Sequence, residues 1–192
     1  MPIALAVRLV FWLWFAAAVA AGQQLWLQRL PPPAVPALVL GLTALLLAGY
    51  FRVAALRAWV DALDLRLLVL LHVSRFVGIY FLVLYRRGEL PHDFAVPGGI
   101  GDIVVATLAL PVAFAPLAAA ARQRFTNIWN VVGLVDILLV VATAARLNLT
   151  DPLPMRALTR LPLSLLPTFL VPLIIATHVV IFVRLARPPR AA

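Results

Sequence analysis

The chain has 192 residues, of which 65% are hydrophobic and only 12% charged, against about 45–50% and 25% in typical soluble chains. That composition excludes an ordinary soluble domain and predicts an all-α, polytopic transmembrane helix bundle forming a single domain over residues 1–192. There is no Cys and all sixteen basic residues are Arg, which excludes disulfides, thiolate metal sites, c-type haem attachment and lysine Schiff bases.

A bilayer core about 30 Å thick needs about 20 mostly apolar residues per helix. Six segments meet that length, at about residues 2–21, 35–51, 67–85, 99–121, 128–145 and 161–183. The first ends in AAAVAAG, small residues that suit a signal peptidase, but its start lacks the basic cluster of a leader, so it counts as a span. The second connection, RVAALRAWVDALD, sets Val53, Leu56, Val60 and Leu63 at helical spacing with Arg52, Arg57, Asp61 and Asp64 elsewhere. Residues 52–64 are therefore expected to lie on the membrane surface as an amphipathic helix.

Arginine placement sets the expected orientation. Arg8, Arg52, Arg57, Arg66, Arg122, Arg124, Arg184, Arg187 and Arg190 fall on the side of the termini, and Arg29, Arg86, Arg87, Arg146, Arg156 and Arg160 on the other. Nine against six puts both termini in the cytoplasm. The net charge of +9 then points to anionic lipid, because no segment interleaves basic and aromatic residues as a nucleic-acid groove would.

Charged groups at membrane depth cost at least about 2.5–3.5 kcal/mol to insert, so they face the bundle interior and have a partner or a task. Arg75 lies nine residues beyond Arg66 and Asp136 nine beyond Asn127, each about 14 Å along its helix. The equal depth predicts an Arg75–Asp136 pair between the third and fifth spans. Trp129, Gly133, Asp136 and Thr143 share a helical face, and Asn130 follows Trp129. Asp102, just past GGIG, reads as a first-turn carboxylate at the start of the fourth span, where it complements the helix dipole.

His72 lies six residues inside Arg66 and His178 six residues before Arg184. On antiparallel helices the two imidazoles share one depth, as a bis-histidine b-type haem would require. His92, in LPHDF, is expected in a solvated outer loop. Prolines at 111 and 116, and at 162, 167 and 172, break the fourth and sixth spans, and Pro172 should free the carbonyl of Thr168. Broken helices at membrane depth often hold transporter binding sites. No nucleophile and base stand at a workable spacing, since Ser74 and His72 lie on different faces, so an enzyme is not expected.

Three blocks, RFVGIYFLVLYRRGELPHDFAVPGGIGD, WNVVGLVD and LPLSLLPTFLVPLIIATH, resemble a set of small, uncharacterised bacterial inner-membrane proteins. The resemblance runs from about Arg75 to His178; it implies a bacterial six-helix protein of the inner membrane and no activity. From the residues themselves the expected function is binding or translocation of a small solute or proton, with Arg75, Asp136, Trp129, Asn130 and Thr168 at the site. Two alternatives stand beside it. One is a membrane cytochrome with haem b between His72 and His178; the other is an accessory subunit, with a protein partner or a second copy, whose polar residues only fix packing.

Overall fold

The computed structural model describes residues 2–187; Arg190, counted for orientation above, lies outside them. Among the described residues the chain is helical, without strands. Eight α-helices follow in order: α1 (Ile3–Gln23), α2 (Ala34–Arg52), α3 (Ala54–Ala62), α4 (Leu65–Leu71), α5 (Val77–Arg86), α6 (His92–Phe114), α7 (Ala119–Thr150) and α8 (Val171–Leu185). A 3₁₀ turn at His72–Phe76 joins α4 to α5, and a π turn at Leu166–Leu170 leads into α8.

Six of these segments are long and apolar enough to cross a membrane: α1, α2, the run Leu65–Arg86, α6, α7 and the run Leu166–Leu185. The protein is a multi-pass membrane protein. Its outward surface fits that reading, since α7 turns Val131, Val132, Val135, Leu138 and Leu139 outward while Trp129, Asn130, Gly133 and Ile137 are buried. The third span is therefore two short helices with a tighter turn at mid-depth, and mid-helix 3₁₀ stretches mark strain or a hinge.

Local chemistry sets the ends. The Asp64 side chain accepts the Arg66 N–H at 2.9 Å and caps α4. Gly88, at φ +72°, ends α5: its N–H bonds the Tyr85 carbonyl and the Glu89 N–H reaches back to Leu84, both at 2.9 Å. That pairing closes the helix on a left-handed glycine. The fourth span starts at His92, seven residues before the expected Gly99, so His92 opens a helix rather than sitting in a loop. Pro97 is tolerated because the carbonyl it frees belongs to Asp93, in the exposed first turn. At the other end α6 stops at Phe114, leaving Pro116 in the link, where the Arg122 guanidinium lies 3.3–3.5 Å from the carbonyls of Ala113, Ala115 and Leu117.

The π turn is also explained by its prolines. The carbonyl of Thr168, freed by Pro172, accepts the Trp14 indole N–H at 2.8 Å, and that of Leu163, freed by Pro167, accepts the Leu166 N–H at 3.0 Å. Each irregular carbonyl is satisfied inside the protein, as membrane depth demands.

α6 packs against α4, α5 and the 3₁₀ turn on one side and α7 on the other, while α8 packs between α2 and α7. Two apolar clusters result. One holds Phe81, Phe94, Ile137 and Ile174 toward the face of the α5–α6 loop. The second holds Tyr50, Val69, Trp129 and Ile181 toward the face that carries α3 and the end of α8. We call these the far face and the termini face. At the termini face Arg187 bonds both Asp61 and the Tyr50 hydroxyl, clasping α8 to α3 and α2. Between the two clusters lies a layer of buried polar residues: His72, Arg75, Asp102, Asn130 and His178.

Candidate functional site

Arg75 enters from the 3₁₀ turn and is 1% exposed. Its Nε donates to Asp102 Oδ1 at 2.6 Å, one terminal nitrogen donates to the Gly133 carbonyl at 2.9 Å, and the other pairs with Asp136 Oδ2. The third and fifth spans thus meet through Arg75 and Asp136 at the same depth. Asp102 is the correction. It is not a first-turn cap, because α6 begins ten residues earlier; it sits mid-helix, 3% exposed, as the second carboxylate on Arg75.

The fourth span, absent from the expected site, makes the pairing possible. A β-carbon at Gly101 would overlap the Asp136 carboxylate, and one at Gly78 would strike the Gly99 carbonyl. Glycines at 78, 99 and 101 thus let α5, α6 and the Asp136 side chain close on one another. They serve packing, and their spacing against Gly78 on the neighbouring span is the signal that sequence reasoning could have used.

On the termini side of Arg75 lie the imidazoles. The rings of His72 and His178 have centroids 4.1 Å apart, tilted by 48°, and Trp129 packs at 5.0 Å and 5.7 Å from them. Equal depth is therefore matched by proximity, but the spacing does not suit haem. Metal–imidazole bonds of about 2 Å on opposite sides of one iron put the nitrogens about 4 Å apart and the ring centres farther still. The rings are too close for a porphyrin between them.

Their hydrogen bonds fix which nitrogens are free. Asn130 Nδ2 donates to the His178 carbonyl at 3.0 Å, leaving Oδ1 to accept the His178 Nδ1–H at 2.8 Å. The Thr177 hydroxyl lies 2.9 Å from the Leu173 and Ile174 carbonyls, so its one hydrogen is taken and it accepts from His72 Nε2–H at 3.3 Å. Among the described residues, His72 Nδ1 and His178 Nε2 are left as buried acceptors without a partner.

Gly133 joins the two groups. Its carbonyl accepts from Arg75, while a β-carbon there would come within 2.6 Å of His178 Cε1. Trp129 donates from Nε1 to the Val105 carbonyl at 3.0 Å, tying α7 to α6. Of the expected site residues, Arg75, Asp136, Trp129, Asn130, His72 and His178 form this one layer. Thr168 does not join it: its hydroxyl turns back to the Ser164 carbonyl at 2.7 Å.

No curated protein and no solved structure matches the chain. One family does match, over residues 32–186, a stretch that holds every residue of the polar layer and all but the first of the six spans. The chain belongs to the family described as Domain of unknown function (DUF8737).

Proposed function

We infer that this protein binds and moves a small solute together with a proton, with Arg75, Asp102 and Asp136 as the charged centre. The observation that carries the reading is the charge count at that centre: one buried guanidinium faces two carboxylates. With both carboxylates ionised the group carries a formal charge of −1 in a medium that penalises net charge heavily. One added positive charge balances it, and a proton is the smallest. The span that carries Arg75 is irregular at the centre, with the 3₁₀ turn at His72–Phe76, and interrupted helices are where membrane carriers place their sites.

The arginine count supports cytoplasmic termini and, with the sequence resemblance, a bacterial inner membrane. The cytochrome alternative loses support from the 4.1 Å ring spacing. The test is proton flux into proteoliposomes under an imposed potential, followed with an internal pH dye. Asp136→Asn is expected to lower the flux at least tenfold; unchanged flux removes Asp136 from the mechanism.

A further inference from the structure

A narrow cavity of about 90 Å³ runs from the Arg75 centre toward the far face. Its wall is almost wholly apolar, built from side chains such as Val39, Phe81, Val140, Ala144 and Ile174. Four hydrogen-bonding side chains reach it: Arg75 and Asp102 at the inner end, Asn148 and Thr159 at the outer. At the outer end Asn148 Nδ2 donates one N–H to the Pro32 carbonyl at 2.7 Å and Thr159 Oγ1 donates to the Arg156 carbonyl at 2.7 Å.

The inner two also keep open positions. A guanidinium has five N–H groups, and Arg75 uses three. Asp102 accepts only through Oδ1 among the described residues, leaving Oδ2 open. The inner end therefore offers a donor and an acceptor side by side.

These features define the occupant. An apolar wall strips water from any guest without replacing its hydrogen bonds, which excludes sugars, amino acids and hydrated ions. With both carboxylates ionised, a carboxylate or phosphate head meets a centre whose formal charge is already −1. A hydroxyl suits both free positions, since it donates to Asp102 Oδ2 and accepts from Arg75. The shape favours a chain over a ring, because the lining is drawn out along one helix. Along α7 the lining runs from Ile137 to Asn148, about 16 Å at 1.5 Å per residue.

We propose that this cavity binds an uncharged single-chain alcohol, alkyl or isoprenyl, with its hydroxyl between Arg75 and Asp102 and its chain along α7. The inference deepens the reading above and rests on it for the role of the Arg75 centre. A chain gains little on leaving lipid for an equally apolar slot. Selectivity then comes from the hydroxyl, and hydrogen bonds to charged groups correspond to about a tenfold to hundredfold preference.

The test uses the full chain in lipid nanodiscs and photoreactive diazirine probes of equal chain length: a linear alcohol, an isoprenyl alcohol, the matching alkane and the matching carboxylate. At least one alcohol is expected to crosslink between residues 137 and 148 with an apparent affinity at least tenfold above alkane and carboxylate. Comparing the two alcohols identifies the chain type. Ala144→Leu, which narrows the slot, is expected to cut that labelling at least tenfold.

Equal labelling by alkane and alcohols overturns the proposal, as does stronger labelling by the carboxylate or crosslinks outside that stretch. The wild-type comparison needs no variant, so it stands even if Ala144→Leu fails to fold. Alcohol-selective labelling without proton flux removes the proton reading alone. Flux without alcohol selectivity removes only this proposal.

Discussion

Gly101 on α6 lies directly against the carboxylate of Asp136 on α7, so closely that any β-carbon at residue 101 would occupy the same space. Gly101→Ala must therefore push Asp136 off Arg75 or force α6 and α7 apart. Overpacking of this kind costs about 1–3 kcal/mol. Gly41 on α2 meets nothing within 4 Å, and Gly41→Ala is expected to be neutral or stabilising by up to about 1 kcal/mol. Thermal unfolding of both variants in detergent checks the contrast; equal shifts would show that the carboxylate is free to move.

The buried charges should be strongly coupled. Arg75→Met leaves the buried carboxylate of Asp102 and the half-buried one of Asp136 without their cation, and breaking a buried pair from one side costs about 3–5 kcal/mol. Adding Asp102→Asn and Asp136→Asn to that variant removes the uncompensated charge and should recover much of the loss. A cycle of single, double and triple variants measures the coupling. Strict additivity would mean that the three side chains do not act as a unit.

Each histidine should hold one tautomer: Nδ1–H at His178, set by Asn130, and Nε2–H at His72, set by Thr177. ¹⁵N chemical shifts of labelled histidine in the wild-type protein read this directly. In Asn130→Ala the His178 signal is expected to shift toward a tautomer mixture while His72 keeps its own. Unchanged His178 shifts would mean that Asn130 does not orient the ring.

Trp14 should matter far more than its neighbour Trp12. The first donates to the proline-freed Thr168 carbonyl; the second is 62% exposed. Trp14→Phe leaves a buried carbonyl unpaired, at a cost of about 1–3 kcal/mol, whereas Trp12→Phe should stay within about 0.5 kcal/mol of wild type. Thermal unfolding distinguishes them.

The clasp at the termini face carries a pH signature. Burial raises the Asp61 carboxyl, but hydrogen bonds from Arg187 and Tyr50, with the charge of Arg187, outweigh it and leave its pKa below 3.8. A depressed carboxyl adds stability that is present above the unfolded value and lost as pH falls through the folded one. Arg187→Gln should therefore be less stable than wild type at neutral pH, and the gap should narrow as pH drops below 3.8. A gap independent of pH would assign the clasp's effect to something other than Asp61.

Depth counting along each helix was enough to find Arg75 with Asp136 and His72 with His178, because both relations depend only on the rise per residue and on antiparallel spans. Asp102 was hidden by its own neighbourhood. Pro97, Gly98, Gly99 and Gly101 look like the broken start of a helix, yet α6 passes straight through them. Those glycines answer to contacts with α5 and α7, and such contacts leave no period along a single strand of sequence. Equal depth likewise says nothing about lateral distance, and 4.1 Å between the His72 and His178 rings is a property of how three helices lean together.

The peptide unit at residue 133 has a mechanical consequence. Arg75 grips it by its oxygen, while its α-carbon is the surface on which the His178 ring rests. Anything that loosens the guanidinium's hold lets this one link of α7 shift, and the imidazole must shift with it. The charged centre and the histidine pair thus behave as two ends of a rocker with its pivot in a single glycine, so an event at one end is felt at the other without any intervening side chain.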